Sequence, residues 1–129
     1  MNQARVSCGK EPINPFASVA LDGHFGDQIP GWFSPLIRQC RFRNLGTTAL
    51  HMAYVAAGGM VGAITGLPKL WDIAAGSLIV QSAGGVVTDW QGRGLWPLDL
   101  EGYEGHRLPL VAANPVAHGQ ILRIMEEGR

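Results

Sequence analysis

Cysteine is scarce. Two residues, Cys8 and Cys40, stand far apart in a chain of 129, with no C-x-x-C pair and no Cys/His cluster, which excludes a disulfide framework. They are expected as reduced thiols in a cytoplasmic protein. An excess of charge of either sign is also missing: ten Lys and Arg balance ten Asp and Glu, and charged residues make up 16%. That excludes an electrostatic grip on nucleic acid or anionic lipid. No apolar run reaches the length of a membrane span before Gly, Pro or Asp breaks it. The N-terminus lacks the charged-then-apolar layout of a signal peptide. Absent too are G-x-S-x-G, the P-loop, G-x-G-x-x-G and any solenoid repeat.

The residues present fit a single domain over 1–129 with a real core. Hydrophobic residues account for 47%, while 18 glycines and 8 prolines, spread along the chain, mark turns and close packing instead of a linker. Residues 1–40 are the least patterned. Arg5-Val6-Ser7 reads as a strand end, Ala17 to Leu21 as a short strand or irregular segment, and Trp32 to Gln39 as a short helix interrupted by Pro35.

From 41 to 129 the pattern sharpens. CRFRNL alternates as a strand, and Gly46 stops it. Thr47 or Thr48 then caps a helix in which Leu50, Ala53, Tyr54 and Ala57 share one face. Gly58-Gly59 ends that helix. MVGAITG reads as a buried strand. DIAAGSLIVQSAGG reads as a helix that is apolar nearly all round and therefore belongs between layers. GVVTDW and HRLPLVAAN are strands, with a turn at Gln91-Gly92. Asn114 caps the last helix, Pro115 takes its first position, and Val116, Ile121, Leu122 and Met125 face inward. The order strand, helix, strand, helix, strand, strand, helix predicts an α/β layered sandwich, a mixed central sheet flanked by helices.

Few residues offer chemistry. Asp72 follows Trp71 directly before the small, apolar helix. It reads either as a helix N-cap or as a ligand for a hard cation such as Mg²⁺, with Trp71 packed behind it. The two roles are compatible, because a carboxylate has two oxygens. Gly46, Thr47 and Thr48 offer either a simple cap or a helix N-terminus suited to phosphate or hydroxyl oxygens. His24, His51, His106 and His118 show no metal spacing, and His51 reads as a packed or surface side chain. Trp90 and Trp96 read as cover over a sheet end, or as a ligand shelf.

Two of these segments carry a resemblance. WDIAAGSLIVQSAGG resembles the second signature of the inositol monophosphatase family, W-D-x-A-A-G-x-x-I-x-x-x-A-G-G. RNLGTTALHMAYVAAGG, residues 43–59, is similar to the family segment just upstream, R-x-x-G-[ST]-x-A-x-x-x-x-x-V-A-x-G, at a matching separation. LVAANPVAHGQILRIM looks like the family's last strand and helix. The resemblance runs from Arg43 to Glu127, and QARVS loosely matches a mid-chain strand end. It implies a fold like the C-terminal domain of these phosphatases. It makes Asp72 a Mg²⁺ ligand and places substrate against Gly46, Thr47 and Thr48. The implied chemistry is hydrolysis of small phosphate monoesters, in which the metal activates water.

The resemblance also shows what is missing. The family's upstream Glu and its D-P-x-D-G-T motif have no counterpart. The other aspartates, Asp22, Asp27, Asp89 and Asp99, form no D-x-x-D pattern. Gly62, the segment TGLPK and Ser82 stand where the family carries acids. The chain therefore reads as the C-terminal half of a Mg²⁺-dependent phosphomonoesterase, inactive alone. Its partner would be a complementary N-terminal half. The alternative is a non-catalytic structural or assembly module that keeps the fold, as a homo-oligomer. Neither reading involves nucleic acid or a membrane.

Overall fold

The computed structural model describes residues 6–22 and 25–129. Most of the expected strand end at 5–7 forms no strand: Val6 and Ser7 are irregular, and Arg5 and His24 lie outside the described residues. The elements run β1 (Ser18–Leu21), α1 (Phe33–Ile37), β2 (Arg41–Arg43), α2 (Thr48–Ala56), β3 (Gly62–Thr65), α3 (Leu70–Ser82), β4 (Val86–Thr88), β5 (Leu110–Ala113) and α4 (Pro115–Glu127).

The strands form one mixed sheet in the order β2-β1-β3-β5-β4. β1 is parallel to β2 and β3, and β5 is antiparallel to β3 and β4. Alternation along each strand divides the core in two. Val19, Leu21, Ile64, Val111 and Ala113 pack under α1 and α4 with Trp32, Ile121 and Met125. Ala20, Ala63, Leu110 and Ala112 pack under α2 and α3 with Met52, Val55, Ile73 and Val80. Each large side chain fully buried here contributes about 1.5–3 kcal/mol. The small residues on the second face let its helices lie close to the sheet.

Local chemistry sets the helix ends. Thr47 Oγ1 accepts from Leu50 N–H at 3.3 Å and caps α2. Asn114 Oδ1 accepts from Val116 and Ala117 at 3.0 and 2.8 Å, with Pro115 at the first position of α4. Gly84 turns the chain after α3 at φ +91°.

Three expectations about helix faces fail. The arc of α2 bearing Leu50, Ala53, Tyr54 and Ala57 is exposed, and His51, Met52, Val55 and Ala56 are buried instead. Both arcs are apolar, so periodicity finds a helix without finding its inner side. α3 lies on the outside of the sandwich rather than between layers: Trp71, Leu78 and Ile79 are 68%, 66% and 49% exposed. Val116 on α4 is exposed, while Ile121 and Met125 are buried as expected.

Candidate functional site

A cleft of about 460 Å³ opens where the carboxyl ends of β1 and β3 meet the N-termini of α2 and α3. Such crevices at the carboxyl ends of parallel strands are where α/β sheets bind ligands. Its walls carry Asp22, Gly46, Thr47, Thr48, Thr65, Trp71 and Asp72. The four residues singled out from the sequence, Gly46, Thr47, Thr48 and Asp72, therefore come together.

The loop before α2 is held from several sides. Gly46 has φ +90°, and a Cβ there would meet nothing within 4 Å. The turn requires the glycine, and the space beside it is open. Asn44 Oδ1 accepts from Gly46 N–H at 2.9 Å. His51 Nε2 accepts from Leu45 N–H at 2.8 Å. Burial pushes His51 below its ordinary pKa, partly offset by the charge of Asp22. His51 is thus a buried brace for the loop.

The loop before α3 is held by the segment that joins β4 to β5. Leu108 N–H donates to Pro68 O at 2.8 Å, and Arg107 donates to Leu67 O at 2.8 Å. Tyr103 Oη accepts from Leu70 N–H at 2.9 Å and donates to His106 O at 2.7 Å.

Asp72 is not the N-cap of α3. Lys69 holds that position, and Asp72 stands three residues later. Its Oδ2 accepts from Lys69 N–H at 2.8 Å. This is half of a capping box, because a lysine ammonium has no lone pair with which to return the bond. The helix starts earlier than expected because Pro68 ends the extended segment and Leu70 already has helical geometry. Among the described residues no hydrogen bond reaches Asp72 Oδ1, which is left to the cleft. Trp71 does not pack behind the acid: it is 68% exposed, with Lys69 Nζ 5.2 Å from its ring centroid.

The sequence pattern missed Asp22 and Thr65. Asp22 follows β1 and accepts through Oδ2 from Thr65 Oγ1 and, at 3.3 Å, from Gly66 N–H. An acid directly after a short apolar run, at the carboxyl end of a strand, was the available signal. Trp90 and Trp96 both pack as cover. The Trp90 ring packs edge-on against Trp32 at 5.3 Å and its indole donates to Thr65 O at 3.1 Å, while Trp96 packs on the α2/α3 core.

The donors fit only part of a Mg²⁺ shell. Among the described residues, no three His, Cys, Asp or Glu side chains converge on one point. Asp72 Oδ1 is a suitable hard oxygen, but Mg²⁺ wants near-octahedral oxygen coordination and keeps its waters otherwise. Both cysteines are free and buried, and burial raises the Cys40 thiol to about 11, which leaves it unreactive.

Comparison with known proteins identifies relatives of this chain. Residues 18–129 match the sequence model of the inositol monophosphatase family. The inositol-1-monophosphatase ImpA of Mycolicibacterium smegmatis is 41% identical over 92 residues, which are 70% of this chain and 30% of that protein. The Nus factor SuhB of Pasteurella multocida is 52% identical over 58 residues, 44% of this chain and 22% of that one. A Thermotoga maritima IMPase structure superposes with a TM-score of 0.77 at 27% identity, covering 98% of this chain and 46% of that one. The chain thus spans less than half the length of these relatives. Its mixed five-stranded sheet and its sequence together show that it belongs to the inositol monophosphatase family.

Proposed function

We propose that this chain supplies one wall of a Mg²⁺-dependent phosphomonoesterase site, and that the remaining metal-holding carboxylates come from a complementary N-terminal half. The observation that carries this reading is the cleft. It joins Asp72 to Gly46, Thr47 and Thr48, yet among the described residues it offers only Asp22 and Asp72 as acids. Asp72 is the metal ligand in this reading, and the glycine and threonines face the substrate. Bound Mg²⁺ would polarise the phosphate and activate a water.

A specific observation favours a complementary half over an assembly module. The apolar side chains of α2 and α3 that no layer covers are Leu50, Tyr54, Trp71, Leu78 and Ile79. They lie on the helix layer that also borders the cleft, so one covering element could bury them and bring acids to Asp72.

The test is calorimetric Mg²⁺ titration of the chain with inorganic phosphate present, beside a phosphomonoesterase assay, for the wild type and Asp72→Asn. The expected result is Mg²⁺ binding no tighter than about millimolar and no turnover. Turnover by this chain alone, lost in Asp72→Asn, would overturn the claim that the site is incomplete. A stable homo-oligomer indifferent to Mg²⁺ would favour the assembly module.

A further inference from the structure

The segment joining β4 to β5 builds a second pocket, of about 260 Å³, which shares no lining residue with the cleft. Its charged residues are Asp89, Arg93 and Arg107. Asp89 is engaged locally. Its Oδ1 accepts from the N–H groups of Gln91 and Arg93, each at 2.9 Å, and its Oδ2 accepts from Arg93 Nε at 2.9 Å. The turn is closed by Asp89 N–H, which donates to Arg93 O at 2.8 Å. Arg93 is thus held by its Nε, and its Nη1 has no partner among the described residues. Arg107 is held in the same manner. Its Nη1 donates to Leu67 O at 2.8 Å, while Nε and Nη2 have no partner among the described residues. Two anchored guanidinium groups against one carboxylate leave a single positive charge in excess in this pocket.

The rest of the wall is apolar. Leu108 is buried, and Trp90 and Leu95 are half-buried. Trp90 is fixed from behind by its edge-on contact with Trp32 and its bond to Thr65 O. Pockets of this kind, apolar with a few convergent polar groups that are already held in place, suit small ligands.

We infer that this pocket is a binding site for a small carboxylate with an apolar body. Arg93 and Arg107 take the carboxylate, and Trp90, Leu95 and Leu108 take the apolar part. Guanidinium donors match a planar carboxylate. The charge balance selects it over a phosphate: one excess positive charge is matched by a monoanion, whereas a dianion meets the Asp89 carboxylate without compensation. The inference goes beyond the phosphatase reading and uses none of the residues that carry it.

The experiment is an NMR titration of the ¹⁵N-labelled chain in low-salt buffer free of divalent cations. The amides of Gly92, Arg93 and Leu108 and the Trp90 indole N–H are followed. Three probes are compared: benzoate, benzyl alcohol, which keeps the ring without the charge, and inorganic phosphate, which keeps charge without the ring. Benzoate is expected to shift these signals with a dissociation constant of about a millimolar, and the other two probes to bind at least about tenfold more weakly. Arg93→Gln is a change at an exposed side chain that leaves the backbone bonds to Asp89. It should weaken benzoate roughly three- to tenfold and leave the benzyl alcohol response unchanged. Arg107→Gln should do the same, which gives an independent second reading.

Equal responses to benzoate and benzyl alcohol would reduce the pocket to an apolar groove and overturn the inference. So would phosphate binding as tightly as benzoate, Arg93→Gln and Arg107→Gln variants that bind benzoate like the wild type, or signals that stay still at roughly tens of millimolar benzoate. Neither Asp72 nor Mg²⁺ enters this measurement, so its failure leaves the Mg²⁺ reading untouched, and failure of the Mg²⁺ reading leaves the carboxylate site standing.

Discussion

Replacing Asp72 separates its structural work from its proposed role toward metal. Its Oδ2 accepts from Lys69 N–H at 2.8 Å, and its charge sits in the first turn of α3. Asp72→Ala removes both. The lost capping bond costs about 1 kcal/mol, and the lost charge near the helix N-terminus costs about 0.3–1 kcal/mol, toward the lower figure for an exposed side chain. The expected total is about 1–2 kcal/mol. Asp72→Asn keeps an amide oxygen for Lys69 and loses only the charge, so about 0.3–0.5 kcal/mol is expected. The assay is urea unfolding. With a slope of about 2 kcal/mol/M for a domain of this size, the alanine variant's midpoint should fall by roughly 0.5–1 M and the asparagine variant's by less than about 0.3 M. Coinciding midpoints for wild type and Asp72→Ala would show that the bond to Lys69 stabilises nothing. An equal loss in both variants would show that charge, not the acceptor, matters. The expected order is also what makes Asp72→Asn a fair probe of metal binding, since it leaves α3 in place.

Two further outcomes follow from packing and burial. A Cβ at Gly85 would lie 2.5 Å from Val80 Cγ1, 3.0 Å from Ala113 O and 3.1 Å from Val80 O. Backbone atoms cannot step aside, so Gly85→Ala should destabilise by about 1–3 kcal/mol in urea unfolding, while Gly94→Ala, whose Cβ meets nothing within 4 Å, should stay within about 0.5 kcal/mol. Burial holds both His51 and His118 below their ordinary value of 6.5. The unfolded chain therefore binds more protons once the pH drops below about 6.5, and stability contributed by the neutral rings falls as pH drops further toward their folded values. Unfolding midpoints measured from pH 8 down to pH 5 should be level at first and then decline, and His51→Gln should flatten part of that decline; a rise on acidification would refute this.

The sequence by itself determined the kinds and order of the elements from Cys40 onward, a cap at Thr47 or Thr48, the cap at Asn114, and the family. These rest on local physics. Capping oxygens, proline at a helix start and glycine at a positive φ act within a few residues, and so are written in adjacent letters. The signatures also brought Gly46, Thr47, Thr48 and Asp72 into view. What the letters did not contain was direction. α2 and α3 are apolar on every side, so the sheet, through Ala20, Ala63 and Ala112, decided which arc is buried. Asp22 and Thr65 are 43 positions apart and meet only because β1 and β3 run parallel and end at the same edge. Tertiary structure alone therefore decided that Asp72 shares its cleft with a second acid, because that depends on contacts between strands and helices that no local spacing encodes.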